Sequence, residues 1–252
     1  MQFRRLVRTN APAALLLLLL VLLSMDAACA QETGIITRLP DSIGSHPGDT
    51  IRIPVAIFNF AGAIAGYTVE YVLGRPGLAV LDDAQLFDTS GSFSSGWEQV
   101  GAFRPSSTDV RISGIADMNL DHSPVPFTAF AGTVVFAVVH IPCNPDTISG
   151  TTVSIMPSGS QQFSDPQGQL HAPVAAYGGQ IYVQSIVRGD LDYSGARDVV
   201  DVVAEINCAF RGNCPNCAGL IADLDCDGDN DIVDVVLLIG AAFRGESLVP
   251  CP

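Results

Sequence analysis

Asp190-Leu-Asp-Tyr-Ser-Gly-Ala-Arg-Asp-Val-Val-Asp201 and Asp223-Leu-Asp-Cys-Asp-Gly-Asp-Asn-Asp-Ile-Val-Asp234 are two copies of one twelve-residue pattern, 33 residues apart. Both copies have oxygen-bearing side chains at positions 1, 3, 5, 9 and 12, and glycine at position 6. Ca²⁺ takes about six to eight oxygen ligands, and a loop that surrounds it must turn sharply near its middle. Two copies in register therefore predict two calcium-binding loops, residues 190–201 and 223–234.

The residues that follow each loop have helical periodicity. Apolar side chains recur at Val199, Val202, Val203, Ile206 and Phe210, and the second copy repeats this with Ile232, Val235, Val236, Ile239 and Phe243. Both runs end in Phe-Arg-Gly, and glycine commonly ends a helix. The sequence thus predicts a loop followed by a helix, twice, with apolar faces available to pack on each other.

Residues 34–184 show the alternation that is typical of β-strands. Ile51, Ile53, Val55 and Ile57 fall on one face of a strand, and residues 67–73 repeat that period. Turn sequences rich in Gly, Pro and Asp separate further candidate strands at 79–81, 110–115, 130–141, 151–155 and 179–183. Many short strands without a long helix predict an all-β sandwich or jelly roll.

The first thirty residues form a segment of a different kind. Three arginines precede an apolar run over residues 11–23, and Ala28-Cys-Ala30 offers a small-x-small cleavage site. We expect a secretory signal peptide of bacterial type over residues 1–30, and a secreted mature chain. The apolar run is shorter than the about 20 residues of a membrane span, and no span is expected in the mature chain. A lipid-attached form through Cys29 is the alternative, although Asp26 stands where such signals usually have Leu.

The charge and the cysteines narrow the functional classes. A net charge of −14 makes nucleic acid and anionic membranes poor partners. Residues 187–252 carry twelve acidic side chains against four arginines, which suggests that a cation belongs there.

Six cysteines remain after the signal peptide, an even number that favours disulfides in an exported chain. Five of them follow residue 200, so either Cys143 reaches over to that segment or two thiols stay free. Cys214-Pro-Asn-Cys217 also allows zinc binding or thiol redox chemistry, but disulfides are the preferred interpretation.

Paired loop-helix repeats that open with Gly189-Asp-Leu-Asp192, with no helix before the first loop, resemble a type I dockerin module. The resemblance covers about residues 188–246. It implies a module that folds around two Ca²⁺ ions and docks onto a cohesin-bearing protein, often in an extracellular assembly for polysaccharide catabolism. By position, the implied ligands are Asp190, Asp192, Ser194, Asp198 and Asp201 with the Ala196 carbonyl, and Asp223, Asp225, Asp227, Asp231 and Asp234 with the Asp229 carbonyl.

Three departures from that family are visible. Position 8, usually an apolar residue, is Arg197 in the first loop and Asn230 in the second. Ser194 leaves the first loop one carboxylate short, so we expect it to bind calcium more weakly than the second. Positions 10 and 11, which face the partner in dockerins and are often Ser-Thr, are Val199-Val200 and Ile232-Val233.

The β-rich region resembles the sandwich of cohesins and carbohydrate-binding modules. The resemblance is carried by residues 47–57, 67–71, 132–136 and 178–182. We therefore predict a cohesin-like sandwich over residues 33–186, followed by a dockerin-like module over residues 188–252. Together they indicate a secreted, non-catalytic adaptor.

Two alternatives give the sandwich another role. In a small polysaccharide-active enzyme, carboxylates such as Glu70, Asp82, Asp83 and Glu98 would act as acid and base, although their spacing gives no sign that any two face each other. In a carbohydrate-binding accessory protein, Trp97 would stack on sugar, because it lies beside the Gly/Ser-rich stretch 90–96. Tyr67 and Tyr71 share the parity of Val69 and are expected in the core.

Overall fold

The computed structural model describes residues 34–59, 61–82, 84–118, 126–159 and 161–249. The predicted signal peptide, Asp83 and Cys251 lie outside these residues. In chain order the strands are β1 Ile35–Arg38, β2 Ile43–Ser45, β3 Thr50–Asn59, β4 Gly66–Leu73, β5 Val80–Leu81, β6 Phe87–Asp88, β7 Gln99–Phe103, β8 Asp109–Ile115, β9 Ala131–His140, β10 Thr151–Pro157, β11 Gln162–Ser164, β12 Leu170–His171, β13 Pro173–Tyr177 and β14 Gly179–Val183. The helices are α1 Pro145–Ile148, α2 Val199–Arg211, α3 Ala218–Ile221 and α4 Ile232–Arg244.

The strands form two sheets. One has the order β13-β1-β3-β9-β5, with β6 also paired to β9. The other has the order β12-β11-β4-β10-β14-β2, and β8 and β7 extend it beside β4. The β1–β13 and β14–β2 pairs are parallel, and the other strand pairs among the described residues are antiparallel.

Alternating side chains of the two long central strands fill the space between the sheets. Ile53, Val55 and Ile57 of β3 are buried, as are the inward residues of β4, which are Tyr67, Val69, Tyr71 and Leu73. They belong to one continuous apolar core. The period-2 alternation exists because one face of each strand must be removed from water. The predicted all-β sandwich is confirmed, and the two tyrosines are core residues as expected.

After β14 the chain changes from strands to acidic loops and helices. Asp198 and Asp231 cap α2 and α4, each in a capping box with the aspartate three residues on, Asp201 or Asp234. Both helices end at a glycine with left-handed backbone, Gly212 and Gly245. The two predicted loop-helix units are therefore present. One difference is the single-turn helix α3, which precedes the second loop although no such helix was expected.

Two disulfides link described cysteines. Cys143, which follows β9, bonds to Cys217, and Cys208 of α2 bonds to Cys214. Cys226 is also disulfide-bonded. Cys143 thus reaches over to the C-terminal segment, as one of the two expected possibilities had it. Because Cys214 and Cys217 belong to different disulfides, the zinc and redox interpretations of that pair are wrong for this structure.

Further contacts join the C-terminal repeats to the turn between β2 and β3. The ring of Tyr193, in the first loop, stacks on His46 with centroids 5.0 Å apart. The Tyr193 hydroxyl donates to the Asn216 carbonyl, and the Asn216 amide donates to the carbonyl of Gly48. Sandwich and repeats thus belong to one compact unit within residues 34–252, and the division at residues 186–188 stays a prediction. No helix among the described residues is long and apolar enough to cross a membrane.

Candidate calcium loops and the exposed helix faces

The first loop gathers three of its predicted ligands. Oxygen atoms of Asp190, Asp192 and Asp201 lie within 4.8 Å of one another. Asp201 is buried and accepts backbone N–H groups from Leu191 at 2.7 Å and from Asp192 at 3.2 Å. Asp190 accepts from the backbone of Ser194, at 3.0 Å. The backbone of the loop therefore folds around its carboxylates, which orients them toward one point.

The second loop gathers a different trio. Oxygen atoms of Asp223, Asp225 and Asp227 lie within 4.8 Å of one another. Asp227 stands at position 5, where the first loop has Ser194, so this position supplies a carboxylate in the second loop and a hydroxyl group in the first. The buried Asp234 accepts from the backbone N–H of Leu224 at 2.6 Å, as Asp201 does from Leu191 in the first loop.

The remaining predicted ligands lie at the borders of these clusters. The side chain of Ser194 donates to the Ala196 carbonyl at 3.3 Å. Asp198 and Asp231, at position 9, each accept a backbone N–H of their helix at 2.7 Å and so serve as helix caps. Asp229, at position 7, follows the glycine of the second loop and is exposed.

Crowding of the carboxylates has an electrostatic consequence. Burial, together with the nearby charge of Asp201, raises the pKa of Asp190. In the second loop, desolvation and the charges of Asp227, Asp234 and Asp223 raise the pKa of Asp225. Both shifts reflect desolvation and the repulsion between neighbouring carboxylates. A hard divalent cation would relieve this repulsion, and the donors are all oxygen, which suits Ca²⁺.

Glycine is needed at position 6 because of the backbone conformation there, and not because a side chain would clash with a neighbour. Gly195 has φ of 90° and Gly228 has φ of 96°, values that side-chain-bearing residues rarely adopt. An added Cβ would meet nothing within 4 Å at either residue. The turn that wraps the carboxylates thus depends on the absence of a side chain at this position, which fits a calcium loop.

The helices present their largest apolar side chains to solvent. On α2 the exposed residues are Val199, Val200, Val203, Ile206 and Phe210, and on α4 they are the equivalent Ile232, Val233, Val236, Ile239 and Phe243. The expectation that these apolar faces pack on each other is therefore wrong. The loops turn Asp201 and Asp234 inward, and the residues that share their side of the helix, among them Val202 and Val235, fill the interior.

The exposed faces are duplicated by the repeat. Phe210 is 61% exposed and Phe243 is 62% exposed, and every other member of one face has its counterpart 33 residues away in the other. Ten exposed large apolar side chains on two neighbouring helices exceed what a solvated surface normally carries. Val199, Val200, Ile232 and Val233, which the sequence suggested as partner-binding residues, belong to these faces.

The interior between α2 and α4 contains an unexpected carboxylate, Glu205. It is fully buried, and neither of its oxygens has a hydrogen-bond partner among the described residues. Burial and the charge of Asp234 raise its pKa to about 7. Sequence reasoning missed this residue, although an alignment of the two repeats shows Glu205 opposite Leu238 of the second copy.

The residues considered for sugar chemistry are placed elsewhere. Trp97 is only 8% exposed and packs against Tyr67 and Phe93 in the core, so its predicted stacking on carbohydrate is contradicted by its burial. Glu70 is buried and paired with Arg111 at 2.6 Å. Among the other candidate acid-base residues, those described are Asp82, which accepts backbone N–H groups from its own turn, and Glu98, which accepts from Met118.

Comparison with known proteins yields similar structures only. No known family model matches the sequence, and no curated protein matches it. The fold is similar to cohesin modules. The Clostridium thermocellum cohesin Coh-OlpC, solved in complex with Doc435, is 12% identical over 62% of this chain and 96% of that one, with a TM-score of 0.44. CaCohA2 of Clostridium acetobutylicum is 14% identical over 60% of this chain and 91% of that one (TM-score 0.45), and the cohesin module from the family 33 glycoside hydrolase of Clostridium perfringens is 10% identical over 60% and 95% (TM-score 0.42). Likeness at this level carries no information on what this chain binds.

Proposed function

We propose that this chain is a secreted, non-catalytic adaptor whose calcium-loaded C-terminal repeats dock onto another protein. The observation that carries the proposal is the duplicated exposed face of α2 and α4. Removing such a face from water stabilises a complex by about 25 cal/mol per Å² of apolar surface, before the costs of association. The resemblance to dockerins supplies the class of partner, a protein that bears a cohesin-type β-sandwich.

The chemistry of the face describes its partner further. Residues 187–252 carry twelve acidic side chains against four arginines, and the two Ca²⁺ ions would neutralise only part of this excess. A matching surface is a flat sheet face with an apolar centre and basic groups at its rim, because like charges opposite each other would oppose docking. The two Ca²⁺ ions, held by the loops at the start of α2 and α4, would fix the relative positions of the two helices and hence the shape of the face.

The same proposal gives the cohesin-like sandwich a partner of its own. Phe103, Ile115 and Met118 are exposed and line a groove of about 480 Å³ on the outer side of β7 and β8. Arg111 also lines this groove. The charge of Arg111 is already paired with the buried Glu70, so the groove is mainly apolar and suits the exposed apolar face of a helical calcium-loop module of another protein. The chain would then link two proteins in one extracellular assembly.

Capture from the extracellular fraction of the source organism tests the proposal. The immobilised full chain is compared in calcium, in chelator, and as the Phe210→Ala/Phe243→Ala variant, and retained proteins are identified by mass spectrometry. We expect a cohesin-bearing protein that is retained in calcium and lost both in chelator and with the variant. Tyr182→Ala, which removes an exposed aromatic side chain from the sandwich outside the groove, should retain it. Loss with Tyr182→Ala but not with the helix variant would overturn the docking role of the repeats.

A polysaccharide-retention assay with the same variants tests the rival class. Insoluble cellulose and xylan are used as probes, because they are neutral polymers that aromatic side chains bind. The adaptor proposal expects no retention that depends on α2 and α4. Retention of the chain on polysaccharide in the absence of any protein partner would favour the carbohydrate-binding alternative.

A further inference from the structure

Position 8 of the first loop carries a partly buried arginine, Arg197, where the second loop has Asn230. The Arg197 side chain donates from Nε to the backbone carbonyl of Arg188 at 2.6 Å. Arg188 lies two residues before the loop begins at Asp190. A hydrogen bond from a charged donor is roughly twice as strong as one between neutral groups. Arg197 thus fastens the segment that leads into the first loop to the middle of that loop.

The segment that leads into the first loop also contacts the second repeat. The Arg188 guanidinium donates from Nη2 to the carbonyl of Asp223, which is position 1 of the second loop, at 2.9 Å. The backbone N–H of Gly189 donates to the Ile221 carbonyl at 2.7 Å. Gly189 has φ of 80°, and an added Cβ would lie 2.8 Å from Leu238 of α4. Side chain, backbone and close packing therefore join this segment to the second repeat at the start of its loop.

The position of Arg188 is explained by the carbonyls that it holds. Its Nε atom is buried and has no hydrogen-bond partner among the described residues, which costs free energy. Its Nη1 atom donates to the carbonyl of Val249 at 2.7 Å, and Nη2 also contacts the sulfur of the disulfide-bonded Cys226 at 3.5 Å. The bonds at the tip of the side chain must offset the loss at Nε. They fix the second loop and the segment after α4 to the residue that Arg197 holds.

We propose that Arg197 and Arg188 couple the two calcium loops, so that binding of Ca²⁺ in one loop raises the affinity of the other. The inference rests on the proposed calcium function of the loops. Arg197 stands between the implied ligands at positions 7 and 9, Ala196 and Asp198, so binding in the first loop would fix its backbone. Arg197 holds Arg188, and Arg188 holds Asp223, whose carboxylate belongs to the second cluster. The second ion would therefore enter a loop whose first residue is already ordered, and by linkage the effect is equal in both directions.

Calcium titration of the full chain measures this coupling. Asp223→Asn removes the position-1 ligand of the second loop and leaves its carbonyl for Arg188, so calorimetry of this variant gives the affinity of the first loop alone. Asp190→Asn gives the affinity of the second loop alone in the same way. The coupling factor is the product of the two association constants of the wild-type chain, divided by the product of the two single-loop constants. We expect a factor of about five or more, the lower end of the usual range for coupled sites.

The same three titrations in the Arg197→Met background test the role of the arginine. Methionine keeps an unbranched side chain without the donor, and we expect the coupling factor to fall to about 1, the value for independent sites. Arg211→Met is the matched control, because it removes the same charge from an exposed residue at the end of α2 and should leave the factor at its wild-type value. A purely structural role of Arg197 would lower the melting temperature and leave the coupling factor unchanged.

Hydrogen exchange of Asp223→Asn follows the same path without altering either arginine. In this variant calcium fills the first loop only, and we expect it to slow exchange at the backbone N–H groups of Leu224 and Asp225 relative to chelator. An unchanged rate there, loops that bind independently in the wild-type chain, or a coupling factor that survives Arg197→Met would each show the inference to be wrong. A wild-type chain that binds no calcium would instead overturn the proposed function itself.

Discussion

The sandwich and the C-terminal repeats bury very different amounts of apolar surface. The core of the sandwich runs through both sheets and includes large side chains such as Tyr71, Phe163 and Ile112. Among the described residues of the repeats, the buried core comprises Leu191, Val202, Ala222, Leu224 and Leu238. The described residues of the repeats also include five buried carboxylates, Asp190, Asp201, Glu205, Asp223 and Asp234. One region is held by hydrophobic burial, whereas the other has too small a core for its buried charge.

This difference predicts that the sandwich is stabilised by its apolar core and the repeats by metal ions and disulfides. A small domain that lacks a sufficient core needs metals or disulfides, and the repeats have candidates for both. The sandwich depends less on either, because its apolar core is much larger. The repeats are thus expected to respond to calcium and to reduction, and the sandwich to respond to core substitutions.

Removal of calcium should produce the largest effect, and only in the repeats. At free calcium a thousandfold above the dissociation constant, each bound ion stabilises the folded state by about 4 kcal/mol. We expect hydrogen exchange in α2 and α4 to become fast in chelator, while β3 and β9 stay protected. Mass spectrometry of peptides from both regions measures this in one experiment.

Magnesium at equal concentration is the control, because it dehydrates reluctantly and prefers a tighter octahedral site. Equal protection of α4 with and without chelator would show that its carboxylates fold without a cation. The contrast between the two regions would then rest on the disulfides alone.

Loss of the Cys143–Cys217 disulfide should come next in size. This bond closes a loop of 74 residues between sandwich and repeats, and the chain-entropy relation gives roughly 4 kcal/mol for that length. We expect Cys143→Ser/Cys217→Ser to lower the melting temperature of the repeats and to leave the sandwich transition in place. Cys208→Ser/Cys214→Ser is the matched control, since its 6-residue loop predicts roughly 2 kcal/mol. A larger loss from the short loop would contradict the tethering role.

Trp97→Ala should act on the sandwich alone. Truncation of a buried Trp costs about 3 kcal/mol at the lower end of the observed range, and Trp97 is packed on both Tyr67 and Phe93. Thermal unfolding measures the loss. Tyr182→Ala, at an exposed aromatic residue of β14, is the control and should change stability by less than about 0.5 kcal/mol. A Trp97→Ala chain of normal stability that loses polysaccharide retention would restore the sugar-binding interpretation of Trp97.

The sandwich could be predicted from its sequence because its period is simple. Alternation along residues 50–57 and 67–73 follows directly from a strand with one buried face, and the structure extends both segments by only one or two residues. Strands β1, β7 and β13, of four or five residues, were not predicted. The shorter strands β2, β6, β11 and β12 were not predicted either. They have two or three residues each, and such segments form through pairing with a neighbour and not through their own pattern.

The candidate site was predictable in its loops but not in its helix faces. Ligand spacing in a calcium loop is local, so the sequence shows it directly. The apolar pattern of α2 does not by itself show which face of the helix is buried. Asp201 must face the loop, and this requirement brings Val202 and Glu205 inside and leaves Phe210 outside. The strongest apolar stripe of the helix was therefore assigned to the interior wrongly. Glu205 was visible only as a difference between the copies.

The smallest expected effect concerns the predicted difference in calcium affinity between the two loops. It can be tested whether one carboxylate explains this difference. Ser194→Asp gives the first loop the position-5 aspartate of the second, and we expect about tenfold tighter calcium binding there, or about 1.4 kcal/mol. Ala196→Asp is the matched control, because it adds the same charge at position 7, where the backbone carbonyl is the implied ligand. If charge alone governs affinity, both variants gain equally. If placement governs it, only Ser194→Asp gains, since Asp227 lies within the second cluster and Asp229 does not.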